Sequence, residues 1–343
     1  MNGDYQTALL SRRRFLQAAV SIPCLTVLSG TVNWAEEVRA GVVEPTAEEA
    51  EAAIAAMIAT SASNVTPERL AACETLQRSV DRLRAAEFGE YFRSNADEAR
   101  KWEEERAILR YLNASFEKAI GEIKETTVPE GSVVLWHIYN MGYVVKTPTQ
   151  AFAIDIKHRR AAELVPLIDF LLVTHKHGDH YTDAFCNAVA EAGKPVVTNF
   201  IDNEWKTPEE GREYVFGDCA IKTRLVDHNA RLVKFVTTYE IDCGPKSGNF
   251  VIFHVGDACN VNQLKAEAPI DAFIPHLAVG LDVPKAVNET LKPKSTLLSH
   301  ILELGHAIDQ WRWSYAYGYD ACKKCANDSV ILPVWGEKFT YSR

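Results

Sequence analysis

The sequence has no internal repeat and no low-complexity tract, which excludes a solenoid, a propeller or a fibrous chain. It has no basic excess either. Against 46 Asp and Glu stand 37 Lys and Arg, a formal net charge of −9. A phosphate backbone is repelled by such a chain overall, so nucleic acid is not an expected partner. Cys322-Lys323-Lys324-Cys325 has no second C-x-x-C to go with it, which excludes a zinc ribbon. Nor does this pair follow the first strand of a βαβ unit, which excludes a thioredoxin-like redox site. Eight cysteines include Cys24 near the start, so loss of a leader would leave seven, an odd number that cannot all pair. A local Cys322–Cys325 disulfide and free thiols both stay open. Between Pro45 and Thr127 there is no histidine, so all ten fall in the later part of the chain.

What is present is an ordinary globular composition, 47% apolar and 24% charged over 343 residues, enough for two domains and a sizeable core. Ser11-Arg12-Arg13-Arg14-Phe15-Leu16-Gln17 opens a stretch, Phe15 to Ala35, that carries no charge but includes Gln17, Pro23, Gly30 and Asn33. A basic start before a modest apolar segment reads as an export signal, and Arg-Arg-x-Phe-Leu resembles a bacterial twin-arginine signal. Residues 1–40 are therefore expected to be a leader, cut after Ala35 or Ala40. The twin-arginine machinery would be a partner and the periplasm the destination. Uncleaved, residues 15–35 are just long enough to anchor the chain in a membrane. Loss of residues 1–35 leaves 34 basic against 45 acidic residues, a net −11.

From 45 to 127 the pattern is helical. Thr46-Ala47-Glu48-Glu49 is a capping box, Thr66-Pro67-Glu68 is an N-cap followed by proline, and Asn95-Ala96-Asp97-Glu98 opens a third helix. Apolar Leu109, Leu112, Phe116, Ile120 and Ile123 recur at steps of three and four. Three amphipathic helices are predicted, with a supporting role. After Val128-Pro129-Glu130-Gly131 short β-type runs take over, at 132–138, 142–147, 151–156, 170–174, 195–199, 219–226, 231–239, 249–255, 271–275, 295–299 and 330–334, with a helix at 183–192. This predicts a mixed α/β domain.

The most informative segment is Leu171-Leu172-Val173-Thr174-His175-Lys176-His177-Gly178-Asp179-His180. A buried strand ends, and three histidines and an aspartate follow within six residues. His175 and His177 are two apart, so their rings project to one side of an extended chain. Gly178 permits a turn that brings Asp179 and His180 round. Imidazole and carboxylate together are suitable donors for zinc or a metal of similar preference.

This H-x-H-x-D-H run at a strand end resembles the signature of the metallo-β-lactamase superfamily, and the resemblance extends from about Ser132 to the C-terminal region. The superfamily also has a further His, then an Asp, then a last His. Here Leu225-Val226-Asp227-His228, Val255-Gly256-Asp257 and Thr296-Leu297-Leu298-Ser299-His300 supply them in that order, each just past an apolar run. Taken alone Asp257 reads as a turn residue and His228 as a surface or core histidine; the linked order lifts both. The resemblance implies a four-layer αβ/βα sandwich over residues 128–343. It implies two zinc ions, one on His175, His177 and His228 and one on Asp179, His180 and His300, with Asp257 between them. Iron and manganese are alternatives. By the same resemblance the chain is a hydrolase in which a zinc-bridged hydroxide cleaves an ester, lactone, amide or phosphoester of a small molecule, with a lactonase-like ending.

Asp179, His276 and His306 are the candidate catalytic residues. His276 and His306 would bind substrate or give a proton to the leaving group, or would replace a ligand. His137, His158 and His254 read as structural, and Tyr139, Asn140 and the aromatic run from Trp311 to Tyr319 read as pocket lining or, equally, as core or surface. The rival reading is an exported, non-catalytic metal- or partner-binding protein on the same scaffold. An iron oxidoreductase is less favoured, because the family's redox members resemble H-x-E-x-D-H and the third position here is His177.

Overall fold

The computed structural model describes residues 41–307, 311–325 and 329–343. The expected leader, residues 1–40 with Arg12, Arg13, Arg14 and Cys24, lies outside the described residues. Among those that are described, no helix is long and apolar enough to cross a membrane.

Helix α1 (Ala47–Ala59) starts at Thr46, whose hydroxyl accepts the Glu49 N–H while the Glu49 carboxylate accepts the Thr46 N–H. Helix α2 (Pro67–Arg82) has Thr66 as its cap and proline in its first turn. The sequence pattern reads as three helices, but the structure has five: α3 (Ala85–Arg93), α4 (Ala96–Glu105) and α5 (Ala107–Glu125) follow. Extended backbone at Leu83, Arg84 and Arg106 makes the extra breaks. Side chains satisfy the ends so created. Arg110 donates to the carbonyls of Glu103 and Glu104 in the last turn of α4, and the Ser79 hydroxyl accepts the Ile108 N–H at the start of α5.

Two sheets follow. The first has the order β13-β1-β2-β3-β4-β5, from β1 (Ser132–Tyr139), β2 (Gly142–Lys146), β3 (Ala151–Ile154), β4 (Phe170–Leu172), β5 (Val196–Val197) and β13 (Lys338–Ser342). The second has the order β12-β11-β10-β9-β8-β7-β6. Its strands are β6 (Glu213–Phe216), β7 (Cys219–Val226), β8 (Val236–Asp242), β9 (Val251–His254), β10 (Ala272–Ile274), β11 (Ser295–Leu297) and β12 (Val330–Ile331). Each sheet is antiparallel on one side and parallel on the other. Strands β6 and β13 are short, half-exposed edge strands that the sequence pattern did not separate from loop. Strand β8 begins at Val236 rather than 231, because the Asn229 side chain takes the N–H groups of Arg231 and Leu232 into a turn.

Alternate residues of the two sheets meet in one core: Leu135, Tyr143, Phe152, Phe170 and Leu172 from the first, and Ile221, Tyr239, Ile241, Ile252 and Ile274 from the second. Their outward neighbours, such as Trp136, Val144, Phe253 and Phe273, pack under helices, so β1 is buried along its whole length. Helix, sheet, sheet and helix form the four layers of an αβ/βα sandwich.

The early helices share an apolar cluster with the sandwich. Buried Arg69 of α2 pairs with Glu337 at 2.8 Å, and Tyr319 and Thr60 accept its other N–H groups. Arg312 donates to the carbonyls of Val80 and Leu83 on one side and of Glu303 and Leu304 on the other. Within the aromatic run 311–319, Tyr315 and Tyr319 belong to this seam, the Tyr315 N–H donating to Gln77, while Trp313 stacks on Tyr317 and Trp311 is exposed.

Candidate metal centre

Strands β3, β4, β7, β9, β10 and β11 all run out into loops that meet at one end of the sandwich. These loops carry Asp155, His175 to His180, His228, Asp257, His276 and His300. An apolar strand that ends in a polar residue delivers that residue at the rim of the core, and six strand ends deliver this set.

Candidate donor atoms of His175, His177, His228 and Asp257 lie within 4.8 Å of one another, as do those of Asp179, His180 and His300, and those of Asp257, His276 and His300. His175 Nε2 is 3.0 Å from His177 Nδ1, and His228 Nε2 is 3.3 Å from Asp257 Oδ2. Asp257 Oδ1 is 3.1 Å from His180 Nε2, and Asp179 Oδ2 is 3.1 Å from His300 Nε2. The seven residues assigned as ligands by resemblance thus come together, with Asp257 between the two groups. His276 joins them, its ring centre 3.9 Å from that of His300.

The ring orientations are set from behind. Asp155, fully buried, accepts the Thr174 N–H and hydroxyl at 2.7 and 2.6 Å and faces His180 Nδ1 at 2.9 Å. The Thr174 hydroxyl, having donated to Asp155, accepts from His175 Nδ1 at 2.9 Å. Asp155 and the Thr174 hydroxyl thereby engage Nδ1 of His180 and of His175, and both rings turn Nε2 toward the cluster. His228 Nδ1 meets only the exposed Asn229 side chain. Gly256 lets the chain pass Thr174: at φ +49° a Cβ there would lie 2.7 Å from the Thr174 hydroxyl oxygen. Asp155 and His300 also sit in the left-handed region, at φ 49° and 69°, a conformation that L-residues hold only where surrounding contacts impose it.

Sequence reasoning did not single out Asp155 as a site residue. Its signal was a carboxylate directly after the apolar run Ala151 to Ile154. Asn140 is a further member, donating to Asp179 Oδ2 at 3.1 Å.

Three buried carboxylates, Asp155, Asp179 and Asp257, converge here, and no Lys or Arg pairs with any of them among the described residues. Burial pulls the pKa of His175 and His177 below the ordinary range. His180 goes the other way: burial opposes its charge, but Asp257, Asp179 and Asp155 hold it well above. Asp179 and Asp257 stay well below the carboxylate range, because His180 and its neighbours outweigh burial. His180 Nε2, Asp257 Oδ1 and His300 Nδ1 are buried without a well-formed hydrogen bond. Excess buried anion, imidazole lone pairs turned inward and unsatisfied polar atoms fit divalent cations. The donor set suits zinc, and equally iron or manganese.

His276 differs from its neighbours. Its Nδ1 accepts the Ala278 N–H at 2.8 Å, so the neutral ring keeps its proton on Nε2 and offers a donor rather than a lone pair. His306 is outside the cluster. It lines a cleft of about 300 Å³ beside Asp179, and its Nδ1 lies 2.6 Å from Glu303 Oε2. Glu303 is buried, and its other oxygen accepts the Tyr139 hydroxyl and the Gly305 N–H. Burial opposes charge on both partners, yet each holds the other ionised, with His306 raised and Glu303 lowered.

The remaining histidines serve the core. His137 bonds the Asn140 carbonyl, His254 bonds the Met141 carbonyl, and His158 stacks on Phe116 with its pKa pulled down to about 3 by burial. The seven described cysteines, Cys322 and Cys325 included, are free thiols.

No family model and no curated protein matches the sequence. Solved structures of similar shape include Igni18, a metallo hydrolase from Ignicoccus hospitalis, at 15% identity over 62% of this chain and 99% of that one, TM-score 0.46. The metallo-beta-lactamase fold protein YhfI from Bacillus subtilis has 11% identity over 62% and 100%, TM-score 0.44. CmlA, a diiron beta-hydroxylase from Streptomyces venezuelae, has 13% identity over 63% and 55%, TM-score 0.41. These are distant likenesses, and none assigns an activity to this chain.

Proposed function

We propose that this chain is a metal-dependent hydrolase of a small molecule, with an ester, lactone, amide or phosphoester as the bond cleaved. One observation carries the reading. Imidazole and carboxylate donors from five strand ends face one another beside buried carboxylates that no Lys or Arg pairs with among the described residues, and a cleft opens beside them at Asp179. His175, His177 and His228 would hold one ion, Asp179, His180 and His300 a second, and Asp257 both. When bound, such ions polarise the bond under attack and make water nucleophilic near neutral pH.

The chain's own residues do the rest. Asp155 keeps His175 and His180 in register for coordination. His276 donates its Nε2–H to the oxygen on which negative charge develops. His306, charged against Glu303 on the cleft wall, gives its proton to the leaving group. The rings of α3 at the cleft exclude water from one side.

The test is hydrolysis of 4-nitrophenyl acetate, a homoserine lactone and bis(4-nitrophenyl) phosphate by zinc-loaded protein, with Asp257→Asn as control. Turnover of at least one, lost in the variant, is expected. Metal-loaded wild type inert on all three would favour the non-catalytic binding protein.

Residues 1–40 would deliver this enzyme to the periplasm in folded form through the twin-arginine route. Arg12→Lys together with Arg13→Lys should then retain it in the cytoplasm, and unchanged export would reject that route.

A further inference from the structure

The cleft beside Asp179 has a wall and a charge that the metal residues do not use. Phe88, Gly89, Phe92 and Arg93 lie at positions i, i+1, i+4 and i+5 of α3, on one face of that helix, and all four line the cleft. Gly89 is bare, and Arg93 folds back across it: a Cβ at Gly89 would stand 3.3 Å from Arg93 Nη1. Lys157 reaches the same space from the loop after β3, its Nζ 4.1 Å from the centre of the Phe92 ring.

Neither cation has a carboxylate partner among the described residues, whereas the acidic groups of the cleft are engaged. Glu303 is held by His306, Tyr139 and Gly305, and Asp179 by His180, His300 and Asn140. Lys157 is half-buried against the Phe92 ring, and burial pulls its pKa down although Glu303 and Asp179 across the cleft oppose this, so its ammonium group gains from an anion in direct contact. With Asp179 committed to a metal ion, the cleft holds two unspent positive charges beside an aromatic wall.

We propose that Lys157 and Arg93 bind the acidic group of the substrate, a carboxylate or phosphate, while its apolar body lies along Phe88 and Phe92. The substrate class is thus a small organic anion, and the early helices set specificity rather than acting as support alone. This rests on the hydrolase reading for the position of the cleaved bond, not for the anion site itself. Ammonium and guanidinium groups make charge-assisted hydrogen bonds to such anions, and a phenyl-sized body fits a cleft of about 300 Å³.

Calorimetric titration of the zinc-loaded full chain with phenylacetate, phenyl phosphate and the neutral phenylacetamide tests this. At least one anion should bind about tenfold or more tightly than the amide, the scale of one charge-assisted hydrogen bond. Its preference between the two identifies the acidic group. Lys157→Gln should cost that anion about tenfold and leave the amide unchanged, and Lys157→Arg should restore it. Arg93→Gln gives an independent second variant. Equal binding of amide and anions to wild type overturns the proposal. So does unaltered anion binding in both Gln variants, which would place the anion on the metal ions. If ester hydrolysis persists without anion selectivity, only this inference falls. Anion selectivity without hydrolysis of any substrate would instead reject the hydrolase reading and leave the anion site standing.

Discussion

Asp155 Oδ2 lies 2.9 Å from His180 Nδ1 and 2.6 Å from the Thr174 hydroxyl that meets His175, so one buried carboxylate orients two rings of the cluster. Asp155→Asn keeps the volume but weakens both arrangements, since an amide can present an N–H where an acceptor is required. Metal affinity should fall about 10–100-fold in a chelator competition, with the fold retained by circular dichroism. Unchanged affinity would mean that the rings are held without it.

His276 and His300 lie ring against ring, tilted by 30°, but should separate in their effects. His300→Ala removes a lone pair and should lower the metal content measured by plasma mass spectrometry. His276→Ala removes a donor, so metal content should hold while kcat falls about 10²–10³-fold, the usual cost of losing one stabilising donor. Metal loss in His276→Ala would make it a ligand.

The Glu303–His306 pair predicts the alkaline side of the pH profile. His306 is raised above its ordinary value, and its proton is the one donated, so kcat should fall as pH rises through that raised value. Its contribution to stability has the same sign, fully present below the unfolded pKa and lost as pH rises through the folded one. His306→Gln should lower kcat and remove the alkaline limb. A limb that survives the substitution would belong to another group.

Arg69 and Glu337 join α2 to the loop before β13 with both side chains buried. Burial pushes Glu337 up to about 6 despite Arg69. Arg69→Met would strand that carboxylate and cost about 3–5 kcal/mol in urea denaturation. The loss should be larger at pH 8 than at pH 5, because the stranded group can protonate at the lower pH.

The sandwich and its histidines were legible because each depends on local pattern: apolar runs that end in His or Asp, in one order. His175 and His177 announce themselves by spacing, and His228, Asp257 and His300 by their strand ends. Asp155 was not legible, because a lone carboxylate after a strand looks like any turn. Lys157 and Arg93 were not, because they lie 64 residues apart in sequence and meet only when α3 docks on the strand loops. The break at Arg106 escaped for a related reason: the groups that satisfy its ends, Ser79 and Arg110, sit on α2 and in the next helix.

Metal content tests the account most directly. Purified protein, loaded with zinc and passed through a desalting column, should retain about two divalent ions per chain, the number that two donor groups sharing Asp257 would hold. His177→Ala should retain fewer with its fold unchanged. Wild-type protein that folds normally and leaves the column metal-free would contradict the assignment of this cluster as a metal centre.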